Sequence, residues 1–124
     1  MKKILLLGAG RSASSLIKYL FDSATTENWH ITIGDIAIAH LEPLVAPISF
    51  AETITFDVHN EAQRAGEVAK ADLVISLLPA VLHIEVAREC LKQGRNLITA
   101  SYVSPAFLEL HRQAQEKNLT FIME

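Results

Sequence analysis

Four consecutive apolar residues, Ile4-Leu5-Leu6-Leu7, run directly into Gly8-Ala9-Gly10-Arg11-Ser12-Ala13. From Ser12 to about Phe21 the apolar residues Leu16, Ile17, Leu20 and Phe21 then recur at helical spacing. An unbroken apolar run suits a central strand covered on both faces, so the order is strand, tight turn, helix. In that context the G-x-G-x-x-A spacing has a mechanical meaning. Gly8 permits the tight turn, Gly10 keeps a Cβ out of the way of an approaching pyrophosphate, and Ala13 lets the helix pack close to the sheet. The helix start adds free N–H groups and partial positive charge, with Ser12 in that first turn. Arg11 either flanks the same anion or is simply solvated. Glycine patterns of this kind arise by chance, and the strand–turn–helix setting is what gives this one weight.

The remaining chain repeats the alternation. Asp22–Asn28 reads as a polar loop, Ile31–Asp35 as a second strand and Ile36–Val45 as a short helix ending before Pro47. Thr53–Val58 follows as a third strand and Glu61–Ala69 as a polar-faced helix. Asp72–Leu78 is a fourth strand stopped by Pro79, and Leu82, Val86, Ala87, Cys90 and Leu91 form a buried helical stripe closed by Gly94. Asn96–Ser101 is a fifth strand, and Ser104-Pro105 has the form of an N-cap followed by proline at the first helical position. That helix runs to about Lys117, and Leu119–Met123 is a sixth strand. Strands alternating with helices predict a single α/β domain with a Rossmann-like, doubly wound parallel sheet in the order 3-2-1-4-5-6.

In such a sheet a carboxylate ending the second strand accepts hydrogen bonds from the adenosine ribose hydroxyls, and Asp35 stands there. A carboxylate repels a 2′-phosphate, and no arginine follows it in Ile36-Ala37-Ile38. NAD is therefore the expected cofactor, with NADP the alternative. Asp57-Val58, ending the third strand, either meets the adenine ring or, in the case of Asp57, caps the next helix. Leu77-Leu78-Pro79 closes the fourth strand beside the switch point and faces the nicotinamide-side ribose. His83, early in the next helix, reads as a polar packing residue or a cap, and Cys90 as a small core residue.

Composition excludes several other classes. Net charge is −3, with acidic and basic residues interspersed, which is not the clustered basic footprint of a nucleic-acid binder. Five scattered histidines have no metal-ligand spacing. With one cysteine there is no internal disulfide, and a reducing, cytoplasmic setting is the default. The Ile4–Leu7 run falls short of the roughly 7–15 apolar residues of a secretion signal. Leu73 to Ala87 is interrupted by Pro79, His83 and Glu85, so no membrane span is expected. Tyr102 is followed four residues later by Ala106 rather than lysine, which argues against a short-chain dehydrogenase pair.

Three stretches together resemble the N-terminal domain of the glutamate-forming saccharopine dehydrogenase family. They are Leu5–Arg11, Ala71–Pro79 with His83, and Asn96–Pro105, and the likeness runs nearly end to end. The resemblance implies NAD(P)-dependent oxidation of a secondary amine to an imine, then hydrolysis to glutamate and 2-aminoadipate semialdehyde in lysine metabolism. It also implies that Thr99 and Ala100 border the nicotinamide and that Ser101 and Tyr102 touch an amino-acid substrate. Ser101 and Tyr102 can bond a carboxylate, yet neither is a base near neutral pH, so no catalytic acid–base group is assigned.

Family members continue past the sixth strand into a substrate and dimerisation domain. A chain stopping near Glu124 is therefore expected to bind dinucleotide with little turnover, and to form a homodimer only as a longer protein. Carboxynorspermidine or homospermidine-type dehydrogenases share the same imine logic and are an alternative. A non-catalytic NAD-binding regulatory module is another.

Overall fold

The computed structural model describes residues 1–10, 13–99 and 105–123. Six strands alternate with five helices: β1 (Lys2–Leu7), α1 (Ser14–Glu27), β2 (Trp29–Asp35), α2 (Glu42–Val45), β3 (Ala51–Thr55), α3 (Glu61–Lys70), β4 (Leu73–Ser76), α4 (Ala80–Gln93), β5 (Asn96–Thr99), α5 (Pro105–Glu116) and β6 (Phe121–Met123). All neighbouring strands pair in parallel, in the order β3-β2-β1-β4-β5-β6. The order reverses between β1 and β4, so a crevice opens at the carboxyl ends of those two strands.

The period-2 geometry of β1 sends its apolar run to both faces. Leu5 and Leu7 join Val74, Leu97, Val68, Val86, Cys90, Leu110 and Ala114 on the α3–α4–α5 side. Ile4 and Leu6 join Ile31, Ile33, Ile75, Leu20 and Ala24 on the α1 side. Each such side chain, fully withdrawn from water, contributes about 1.5–3 kcal/mol. Cys90 lies wholly inside the first layer, where burial pushes its thiol up to about 12, so it is a packing residue rather than a nucleophile.

The largest departure from the sequence reading is at Asp22–Asn28, which is the second half of α1 rather than a loop. Ala24 continues the buried stripe one turn beyond Leu20, and Lys18 pairs with Asp22 at 2.8 Å across one turn. Asn28 ends the helix in the left-handed region, at φ 59°, with its N–H bonded to Ala24 O. Conversely, the helix expected over 36–45 shrinks to the single turn Glu42–Val45. The third strand ends at Thr55, so Asp57 and Val58 lie in the connection to α3. The fourth ends at Ser76, which leaves Leu77–Pro79 to form the turn into α4. Gly94 closes α4 at φ 71°, as its position predicts.

Candidate cofactor-binding site

The glycine turn lies at the crevice. Gly8 adopts φ +89°, a conformation that L side chains rarely tolerate. Its N–H donates to Gly34 O at 2.8 Å, while Leu77 N–H donates to Leu7 O at 2.7 Å, so the turn is locked to strands on both sides. A Cβ on Gly8 would fall 2.9 Å from the Leu77 carbonyl carbon. Gly10 is the opposite case: a Cβ there would meet nothing within 4 Å, so the space over the turn is open. Ala13 is completely buried and donates its N–H to Gly10 O at 3.0 Å, which closes the turn and brings α1 against the sheet.

Two side chains, one ending β2 and one from the segment after it, hold the intervening residue. Asp35 Oδ2 accepts the Ala9 N–H at 2.6 Å, and Oδ1 accepts the Ala37 N–H at 3.2 Å. His40 Nε2 lies 3.1 Å from Ala9 O. Asp35 thus orders the glycine turn, and His40 helps it. No sequence signal marked His40, because its partner is a backbone atom 31 residues away.

On the far side of the groove, the connection after β3 is braced by α3. Asp57 Oδ1 accepts the His59 N–H at 3.0 Å, and Gln63 accepts the Asp57 N–H at 3.0 Å while donating to Thr55 O at 2.7 Å. Arg64 Nη1 donates to Val58 O at 2.7 Å. Of the two roles open to Asp57, capping falls away: α3 is capped by Asn60, whose side chain accepts the Gln63 N–H at 3.0 Å.

These elements enclose a groove of about 470 Å³. Gly8, Gly10, Asp35, Asp57, Val58, Leu77, Leu78 and Pro79 all line it, together with Ala9, Ile36, Phe56, His59 and Leu82, which the sequence did not single out. A second, largely apolar cavity of about 810 Å³ lies between α1 and residues 37–48, sharing Ala9, Gly10 and Asp35 with the first. A further hollow, of about 240 Å³, involves Lys3, His30 and Glu67. Lys3 and His30 begin their strands, and open parallel sheets bind ligands at the other edge. Thr99 is buried at the end of β5 and does not line the groove. Arg11, Ser12, Ala100, Ser101 and Tyr102 lie outside the described residues.

His83 does not cap α4; it is buried, and burial lowers the pKa of its imidazole from the ordinary 6.5. The unfolded chain therefore binds the proton first as pH falls. Stability is fully present above about pH 6.5 and declines below it, down to the depressed folded pKa. The thermal midpoint of the wild type should fall with acid in that window more steeply than that of H83Q. Parallel curves would mean that His83 contributes nothing to acid sensitivity.

The sequence is 33% identical to the saccharopine dehydrogenase [NADP(+), L-glutamate-forming] of Pyricularia oryzae over 99% of this chain and 26% of that one. It is 36% identical to the mitochondrial alpha-aminoadipic semialdehyde synthase of Bos taurus over 99% of this chain and 13% of that protein. The fold superimposes on apo saccharopine dehydrogenase (L-Glu forming) from Saccharomyces cerevisiae with a TM-score of 0.86 and 30% identity, over 100% of this chain and 27% of that one. The chain thus spans about a quarter or less of the length of these relatives. The family model described as the saccharopine dehydrogenase NADP binding domain matches residues 4–122, and this chain belongs to that family.

Proposed function

We propose that this chain is the dinucleotide-holding unit of an oxidoreductase acting on a CH–NH bond, with saccharopine or a close analogue as substrate. The open cradle over Gly10 carries the reading. It lies between a locked glycine turn and Asp35, beside a groove of about 470 Å³, and a diphosphate needs vacant space of this kind at the start of a helix. When bound, the nicotinamide supplies a hydride acceptor. The chain's own residues hold it: the glycine turn receives the diphosphate, Asp35 the adenosine ribose, the Asp57–Val58 connection the adenine, and Leu77–Pro79 the nicotinamide side. The substrate's C–H gives up hydride and its N–H a proton, leaving an imine that water cleaves to glutamate and 2-aminoadipate semialdehyde. Ser101 and Tyr102 are assigned to the substrate, with Thr99 and Ala100 beside the nicotinamide. Thr99 ends β5 at the carboxyl edge of the sheet, where such folds bind ligands, and this supports the assignment.

The same reading covers a dimeric full-length enzyme with its substrate domain beyond this unit, and a cytoplasmic setting in which buried Cys90 stays reduced. Among the described residues no helix is long and apolar enough to cross a membrane.

The family model and the Pyricularia oryzae relative both specify NADP. For this chain we assign NAD, because the Asp35 carboxylate lines the groove and Ile36, the next residue, is apolar and exposed. NADH should bind at least about tenfold more tightly than NADPH in calorimetric titrations, and D35S should weaken NADH while narrowing that gap. Tighter binding of NADPH by the wild type would overturn the assignment. Binding of neither dinucleotide would remove the groove itself.

A further inference from the structure

One buried group takes no part in the site as described. Ser76, the last residue of β4, is fully buried, and its Oγ lies 2.7 Å from Nδ1 of His83 in the first turn of α4. His83 is 1% exposed, and its Nε2 has no hydrogen-bond partner among the described residues. Thr99, which pairs with Ser76 in the adjacent strand and is 3% exposed, likewise has an Oγ1 without a partner among the described residues. Val74 and Leu97, two residues earlier in β4 and β5, belong to the α3–α4–α5 layer, so Ser76 and Thr99 point into the same layer as α4. A polar trio therefore interrupts an otherwise apolar stack, directly beneath the carboxyl edge of the sheet.

Such a trio is not there for stability. Replacing both partners of a buried hydrogen bond by apolar groups of similar shape is often neutral or stabilising, and an unpartnered ring nitrogen adds a further cost. What the bond does is geometric. It joins the two ends of the segment that carries Leu77, Leu78 and Pro79, the wall of the groove that presses on Gly8. Leu77 is already tied to β1 through Leu7 O, and Leu82 N–H to Pro79 O at 2.8 Å, so the Ser76–His83 bond is the side-chain brace across a turn otherwise held by backbone.

We propose that His83 is a positioning residue of the cofactor groove: its bond to Ser76 sets the Leu77–Pro79 wall against the glycine turn and so sets affinity for the dinucleotide. Burial keeps the imidazole neutral, the form in which it makes this single bond without importing a charge. The inference rests on the groove being a dinucleotide site.

The test is titration of the chain with NADH, followed by nicotinamide fluorescence, because Trp29 begins β2 at the opposite edge of the sheet. H83F and S76A should each weaken NADH about tenfold, the order of one buried hydrogen bond. The double variant should be no worse than either single one, and H83N, which can still bond Ser76, should recover most of the loss. Binding of H83F within about twofold of wild type, or additive losses, would overturn the role of His83 while leaving the dinucleotide reading intact. A wild type that binds neither NADH nor NADPH overturns that reading and this inference with it. A measurement on the wild type alone keeps the idea exposed should the variants fail to fold. The side-chain nitrogen resonances of His83 should report one neutral tautomer and shift on saturation with NADH; signals unmoved by bound NADH would sink the proposal.

Discussion

Gly10→Val should abolish dinucleotide binding, with at least about a hundredfold rise in Kd, while the thermal midpoint moves by no more than about a few degrees. The asymmetry follows from where the new atoms go. A Cβ at Gly10 meets nothing within 4 Å, and Gly10 is not among the residues with positive φ, so the folded chain accepts a branched side chain. The same open volume is the approach to the helix N–H donors at the N-terminal end of α1. Filling it separates a diphosphate from those donors, and each charge-assisted hydrogen bond lost costs about 1.5–3 kcal/mol. Two such bonds suffice for the hundredfold effect. Calorimetric titration and thermal denaturation of the same sample decide the matter. Unaltered affinity in G10V would remove the diphosphate from this turn.

Gly8→Ala is the mirror experiment, and its effect should fall on folding. The residue is held at φ +89°, where a non-glycine residue costs about 1–3 kcal/mol. The added Cβ also lands 2.9 Å from the Leu77 carbonyl carbon and 3.0 Å from Leu78 N, both backbone atoms that cannot swing away. Their position is fixed by the Leu77 N–H bond to Leu7 O and by parallel pairing of β1 with β4. Strain and overlap together predict a loss of about 3 kcal/mol or more. That is a large share of the 5–15 kcal/mol that a domain of this size commands. Urea denaturation of G8A should show a lower midpoint with an unchanged slope. An unshifted midpoint would mean that the β1–α1 and β4–α4 turns are not in contact.

The two glycines look alike in the motif, and the contrast between them shows what could be read from the letters. That Gly8 and Gly10 flank a strand-to-helix turn follows from Ile4–Leu7 and the Leu16–Leu20 stripe alone. That Gly8 is pinned by the fold while Gly10 faces open space depends on Leu77, 69 positions beyond Gly8, which only the folded sheet brings against it. Strand order was legible for the same local reason as the turn: each alternation of apolar run and amphipathic stretch prescribes a crossover, and crossovers of one hand leave few arrangements. The Asp22–Asn28 segment was misread because its outward side chains are polar, and only Ala24, packed on the sheet, reports that the helix continues. In the opposite direction, Ile36–Val45 has helical composition but is drawn away from helix. Ala37 bonds back to Asp35, and His40 turns towards Ala9. Tertiary hydrogen bonds outweighed local propensity there.

Residue chemistry and spacing by themselves settled the parallel α/β architecture, the place of the glycine turn and the presence of an acid opposite it. Those features depend on periodicity and on which residues can adopt a conformation, both of which are local properties. Contacts between distant segments decided that Asp35 also binds the turn it faces, that His40 and Gln63 brace the groove, and that His83 is buried on Ser76 instead of capping its helix. Such pairings carry no local signature. A side chain's role in them is set by which backbone groups the closed sheet happens to bring within about 3 Å, and that distance exists only once the chain has folded.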